Sequence, residues 1–284
     1  FDLIGRVLNQ KTEDIIASSD EPLGGLRIAI DPAYIGGSLK MAALERKLIR
    51  VKEANGDTTF LDEGLINLGT ALILEVKLRK LGADVRMTRT ERGKSVFGKT
   101  FFQWLQDDFR RLVKADLERG ELTQKEADFL RQQADVAYVF NQYFRPKELK
   151  ERAELINDFK PHMTIGVSYN VDEPNWQARN KGDFLTPTLE NYSLVYVPGG
   201  FMAGELDKPR DRMEFLRLLS TQDYANSVLL ANHLSEQFTY QLASPPLPKT
   251  KQFDYLEKSS VRVAPGIYSR NLYLTKLVHG AVCY

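Results

Sequence analysis

Residues 26–37 read LRIAIDPAYIGG, and this stretch decides the fold. The apolar run from Leu26 to Ile30 is short and is closed by Asp31-Pro32, the pattern of a buried strand ending in a turn. Working outward, residues 63–81 place Leu65, Leu68, Leu72, Val76 and Leu78 or Leu81 near helical spacing, and Gly82 supplies the C-terminal stop. Residues 83–87 (ADVRM) then read as a second strand. Strand, helix and strand in succession predict an α/β fold, a mixed sheet with helices on both faces. Residues 43–60 hold a hairpin turning at Asn55-Gly56-Asp57.

The rest of the chain extends this rhythm, with one interruption. Residues 2–17 predict a helix, 147–158 another, and 221–242 a long one carrying Val228, Leu229, Ala231 and Leu234. Strands are expected at 163–167, 192–197 and 278–284. Residues 207–214 (DKPRDRME) read as a solvated loop and 244–251 as a Pro-rich surface loop. The interruption spans 99–145. Phe101, Leu105, Phe109 and Leu112 form one helical stripe, and Gly120 ends it. Thr123 and Glu126 have capping-box spacing, and Phe129, Val136, Phe140 and Phe144 form a second stripe. The expectation is a single α/β domain over 1–284 with a helical hairpin inserted at about 97–147. The hairpin either packs on the core or serves as a lid or partner-docking element.

Composition narrows the function. The 284 residues are 43% hydrophobic and 27% charged, an ordinary globule able to bury a core. Lys+Arg 39 against Asp+Glu 38 leaves +1, which argues against a basic nucleic-acid binder or a polybasic membrane binder. No apolar run approaches the ~18 residues of a membrane span. Cys283 is the only cysteine, so neither a disulfide framework nor a multi-cysteine metal site is possible within the chain. His162, His233 and His279 are the only histidines. There is no Gly-x-Ser-x-Gly, no phosphate loop and no dinucleotide fingerprint. The sequence begins at Phe1 rather than Met, as a processed or trimmed chain would, so a leader not visible here excludes no compartment.

Five ordered blocks carry a family resemblance. They are Ile28 to Gly37; Glu63, Asn67 and Leu68, continuing to Val85, Thr88 and Arg89; Leu149, Arg152, Ala153 and Asn157; Ile165 to Asn170; and Ala281 to Tyr284. In type and order they resemble the zinc-dependent N-acetylmuramoyl-L-alanine amidases of bacterial cell-wall turnover (the amidase 3 type). The resemblance covers about 26–90, 147–170 and 221–284. It implies an amidase 3-like fold, an extracytoplasmic or periplasmic location and peptidoglycan or a muropeptide as ligand. It also implies a zinc ion held by His, Glu and His, with a further glutamate as general base.

At those slots the sequence departs from the pattern. The first histidine slot holds Tyr34, followed by an extra residue, Ile35, before the glycines. The second holds Ser168. Only Glu63 keeps its ligand type. The general-base position falls just past Tyr284, so no catalytic residue is assigned. A tyrosine ligand should be phenolate, and with a reference pKa of ~10 it costs roughly 4 kcal/mol to deprotonate at neutral pH before any gain from the metal. None of the three histidines replaces a ligand: His162 lies about 20 Å from Ser168 at ~3.3 Å per residue of strand. Glu63 is either a surviving weak ligand or simply a carboxylate meeting a helix N-terminus. Asp31 reads as structural. Arg89 and Arg152 read as either ion-paired around the site or solvated. Tyr34, Glu63, Ser168, Tyr169 and Asn170 are the candidate substrate-binding residues. The expectation is therefore a pseudoenzyme that binds peptidoglycan, scaffolds or regulates, with no cofactor. The alternatives are an active amidase with an altered zinc site, and an interaction protein that uses the helical insertion.

Overall fold

The computed structural model describes residues 20–251 and 253–284, so the helix expected at 2–17 lies outside the described residues. Its centre is a parallel sheet in the order β4-β1-β5-β9, built from β1 (Arg27–Pro32), β4 (Asp84–Met87), β5 (Met163–Val167) and β9 (Ala281–Cys283). β1 shows why a continuous apolar run was the right signature: both of its faces are covered. Ile28 and Ile30 point into one core, while Ala29 points into another.

Each face has its own helices. Helices α2 (Glu63–Lys80) and α10 (Asp223–Leu242) bury Leu68, Ala71, Leu230 and Ala231 against the Ile28 side. On the Ala29 side, helices α7 (Arg145–Phe159) and α12 (Tyr273–Leu277) bury Ala153, Ile156, Leu274 and Leu277. Helix α2 begins where Asp62 caps it: its carboxylate accepts from the Leu65 and Gly37 amides. It ends at Gly82, whose φ of +94° suits only glycine comfortably. Its buried stripe is narrower than its sequence suggested. Val76 is 67% exposed and Leu81 is also exposed, because Leu68, Ala71, Leu72 and Leu78 already complete the face that meets the sheet.

The expected mixed sheet is divided in two. The central sheet is wholly parallel, and the mixed pairing lies in a separate sheet, β6-β8-β7, of β6 (Val195–Val197), β7 (Ser260–Ala264) and β8 (Ile267–Arg270). Tyr196 of β6 and Tyr284 beyond β9 exchange main-chain hydrogen bonds and join the two sheets. The hairpin is β2 (Leu48–Lys52) and β3 (Thr58–Asp62), with Gly56 in its turn. The strands expected at 192–197 and 278–284 are shorter than read, at 195–197 and 281–283. Residues 207–214 are not a loop. Pro209 opens helix α9 (Pro209–Ser220), for which its fixed φ is preorganised. Among the described residues no helix is long and apolar enough to cross a membrane.

The insertion is more than a hairpin. It holds α3 (Phe101–Asp107), α4 (Phe109–Glu118), α5 (Gln124–Gln132) and a turn of α6 (Val136–Tyr138), and it enters α7 through a π-helical stretch, Val139–Phe144. Thr123 and Glu126 form the capping box, and Thr100 and Gln103 form a second one. Phe101, Trp104, Phe109, Phe140, Tyr143 and Phe144 bury each other. Trp104 and Phe144 meet edge-to-face at 4.7 Å, a contact worth about 0.5–1.5 kcal/mol beyond its area. Val136, expected in that stripe, is exposed because the chain turns at Asp135 before the π-helical stretch.

Candidate functional site

The C-terminal ends of β1, β5 and β9 open into a groove of about 1160 Å³. Open parallel sheets place their ligand sites at this edge. The loop after β1 forms one wall, and its shape follows from Ile35. Ile35 is 3% exposed because its side chain enters the aromatic core of the insertion with Met41. Ile35 thus ties the loop to the insertion, and Tyr34 before it adopts a left-handed φ of +62°. Glu45, beyond the short helix α1 (Leu39–Leu44), accepts from the amides of Ile35 at 2.9 Å and Gly36 at 2.8 Å.

Glu63 opens α2 and is 1% exposed. Lys47 Nζ donates to its Oε1 at 3.2 Å, and Arg179 Nη1 donates to its Oε2 at 2.9 Å. The Lys47 ammonium also sits 4.1 Å from the centre of the Tyr34 ring. Lys47, Arg179 and Tyr34 line the groove, and Glu63 lies behind them. Burial pushes the Glu63 carboxyl above its ordinary value, while Lys47 and Arg179 oppose that rise. The sequence showed no signal for Lys47, which precedes a hairpin strand. Arg179 lies on a helix that the sequence pattern did not reveal, α8 (Glu173–Lys181), capped by Asp172.

The remaining expected residues fall elsewhere along the groove. Ser168 is exposed, and its hydroxyl donates weakly to the Tyr169 carbonyl at 3.4 Å. The Tyr169 hydroxyl is 2.9 Å from that of Thr70, and the Asn170 amide donates to the Tyr255 hydroxyl at 2.6 Å. The structure therefore joins Tyr34 to Glu63 through Lys47 and leaves Ser168, Tyr169 and Asn170 on another stretch of wall.

Beneath the groove lies a buried charged floor. Arg152 donates to Glu148 at 2.6 Å and to Asp31 at 3.1 Å, and Thr88 and Tyr284 also donate to Asp31. Arg89 donates to the carbonyls of Pro32 and Gly64, and burial followed by the nearby Arg152 lowers its pKa to about 10. Both arginines are buried, not solvated, and Asp31 holds the strand end in place. Tyr284 lies across Gly166 so closely that a Cβ there would overlap its ring.

The donor set does not fit a zinc ion. Both Glu63 oxygens are occupied by cationic donors, Tyr34 presents a ring face to Lys47, and Ser168 offers a neutral hydroxyl. A cation within about 4 Å of Lys47 or Arg179 would meet roughly 4 kcal/mol of repulsion per unit charge at an effective dielectric of about 20. His162 instead accepts from the Arg27 amide at 2.9 Å. Cys283 is buried, its thiol contacts the Ser227 carbonyl and burial pushes its pKa up.

No family model matches the sequence, and no curated protein does. Two solved structures resemble it distantly. One is the CwlD amidase from Clostridioides difficile in complex with the GerS lipoprotein, 13% identical with a TM-score of 0.38, covering 91% of this chain and 79% of that one. The other is Cwp6 from Clostridium difficile, 16% identical with a TM-score of 0.36, covering 93% of this chain. The match spans 25% of the length of Cwp6.

Proposed function

We propose that this chain is an amidase 3-like, extracytoplasmic cell-wall protein that binds peptidoglycan in its groove and does not hydrolyse it through zinc. It would act as a scaffolding or regulatory pseudoenzyme. The observation that carries this reading is the pairing of Glu63 with Lys47 and Arg179. In the resembled family this carboxylate faces a dication; here two side-chain cations supply the compensating charge. The ordered sequence blocks support the cell-wall assignment, and the groove at the strand ends supports retained binding. Through its helices, the insertion offers a surface for a protein partner.

Metal analysis of the purified protein, together with a muropeptide cleavage assay in added zinc, tests the reading. The expected result is substoichiometric zinc and no newly released L-alanine amino terminus, with the protein co-sedimenting with purified sacculi. Stoichiometric zinc with amide cleavage would establish the active-amidase alternative. Failure to sediment with sacculi would favour an interaction protein. Restoring both imidazoles while removing the competing cation (Tyr34→His, Ser168→His, Lys47→Ala) should recover zinc only partly. Ile35 still holds the loop to the insertion, and Arg179 still occupies Glu63.

A further inference from the structure

The groove is also lined by β6, β8 and α11 (Asp254–Ser259), which bring Tyr196, Arg270 and Tyr255 together. The Arg270 guanidinium lies 4.7 Å from the Tyr196 ring centre and 5.1 Å from that of Tyr255. Trp176 of α8 packs on Tyr255 at 5.4 Å, with the rings 30° apart. Among the described residues no carboxylate pairs with Arg270. The buried Tyr192 hydroxyl makes no hydrogen bond within the protein, whereas the Tyr196 hydroxyl lies within reach of Tyr255 and Arg270. Burial pushes Tyr192 up to about 12, and nearby Asp172 adds to the shift, so its phenol remains a neutral donor at neutral pH.

Each of these features leaves binding capacity unused. A guanidinium is a planar fork of donors suited to a carboxylate. Two aromatic faces hold this fork in place, which limits the freedom it would lose on pairing. A buried hydroxyl normally has a partner, so Tyr192 without one marks a place for a ligand acceptor. Asp172 and Glu173 add negative charge near Tyr192, which suits a singly charged anion better than a dianionic phosphate.

We propose that Arg270 and Tyr192 form a carboxylate subsite, with Tyr196, Trp176 and Tyr255 as the aromatic wall beside it. The ligand carboxylate pairs with the Arg270 fork and accepts from the Tyr192 phenol. The proposal rests on the peptidoglycan reading for the identity of the larger molecule: the stem peptide is the part that carries free carboxylates. The choice of carboxylate itself stands on Arg270.

The test is calorimetric titration of the protein with a synthetic stem tetrapeptide and with its carboxyl-amidated form. The free acid should bind at least about tenfold tighter, the scale of one charge-assisted hydrogen bond. Arg270→Gln should erase that ratio, and Arg270→Lys should retain part of it. Tyr192→Phe should weaken acid binding several-fold while raising Tm, a combination that a purely structural hydroxyl would not give; it also keeps the test open should Arg270→Gln fail to fold. Equal binding of acid and amide, no binding of the acid, or discrimination surviving Arg270→Gln would overturn the proposal. Acid–amide discrimination by a protein that ignores sacculi would sink the peptidoglycan reading and leave the subsite standing.

Discussion

Two stretches of the groove wall treat charge in opposite ways. At the Glu63 end, a buried carboxylate has both oxygens engaged by cations, and those cations face the groove. At the Arg270 end, a cation held between rings has no carboxylate among the described residues, and the Tyr192 hydroxyl has no partner. Satisfied buried charges hold a structure together; unsatisfied polar groups are what a ligand completes. The contrast marks the Arg270 end as the one with binding capacity left open.

The same kind of substitution at each end puts the contrast to its hardest test. Arg179→Met removes a partner from buried Glu63 and should cost about 3–5 kcal/mol in chemical denaturation. Arg270→Met breaks no ion pair and should cost only about 1–2 kcal/mol, the sum of two cation–π contacts at about 0.5–1 kcal/mol each. Equal costs would erase the distinction between a closed end and an open one. Between these values lies Gly166→Ala, beneath the groove. Its new methyl must displace the Tyr284 ring, at about 1–3 kcal/mol of overpacking. If that ring swings aside without loss of stability, the floor joining the two ends is softer than described.

A smaller effect sharpens the Glu63 end through pH. The folded pKa of Glu63 is raised, by burial first, so the folded state binds the proton more tightly than the unfolded chain. Its contribution to stability is therefore fully present below the ordinary value of ~4.3 and is lost as pH rises through the folded value. Measured against Glu63→Gln, the wild-type protein should lose relative stability with rising pH across that window. The opposite slope would mean that Lys47 and Arg179 outweigh burial and hold Glu63 more firmly than argued. The smallest expected change is Val76→Asp, on the exposed face of α2 and remote from both ends, which should stay within about 0.5 kcal/mol.

Much of the architecture was legible because apolar periodicity reports which faces are covered. β1, α2, β4, β5, α7 and α10 all follow from it, as do Gly82 and the Thr123–Glu126 capping box. The second sheet was not legible. β7 and β8 form a hairpin about Pro265-Gly266, but the parallel pairing of β8 with the distant β6 has no local signal. At the candidate site, Glu63 and Tyr34 were visible as residues standing in expected slots, but their meaning was not.

The sequence by itself determined the α/β rhythm and the place of the insertion, since each is a property of residue type and spacing. Only the tertiary structure decided which charges pair along the groove. Lys47, Arg179 and Arg270 lie on a hairpin, a short helix and a distant strand, and whether a cation is paired or left open depends on which carboxylate the fold brings within a few ångströms of it. That distance is set by packing, and no local stretch of sequence encodes it.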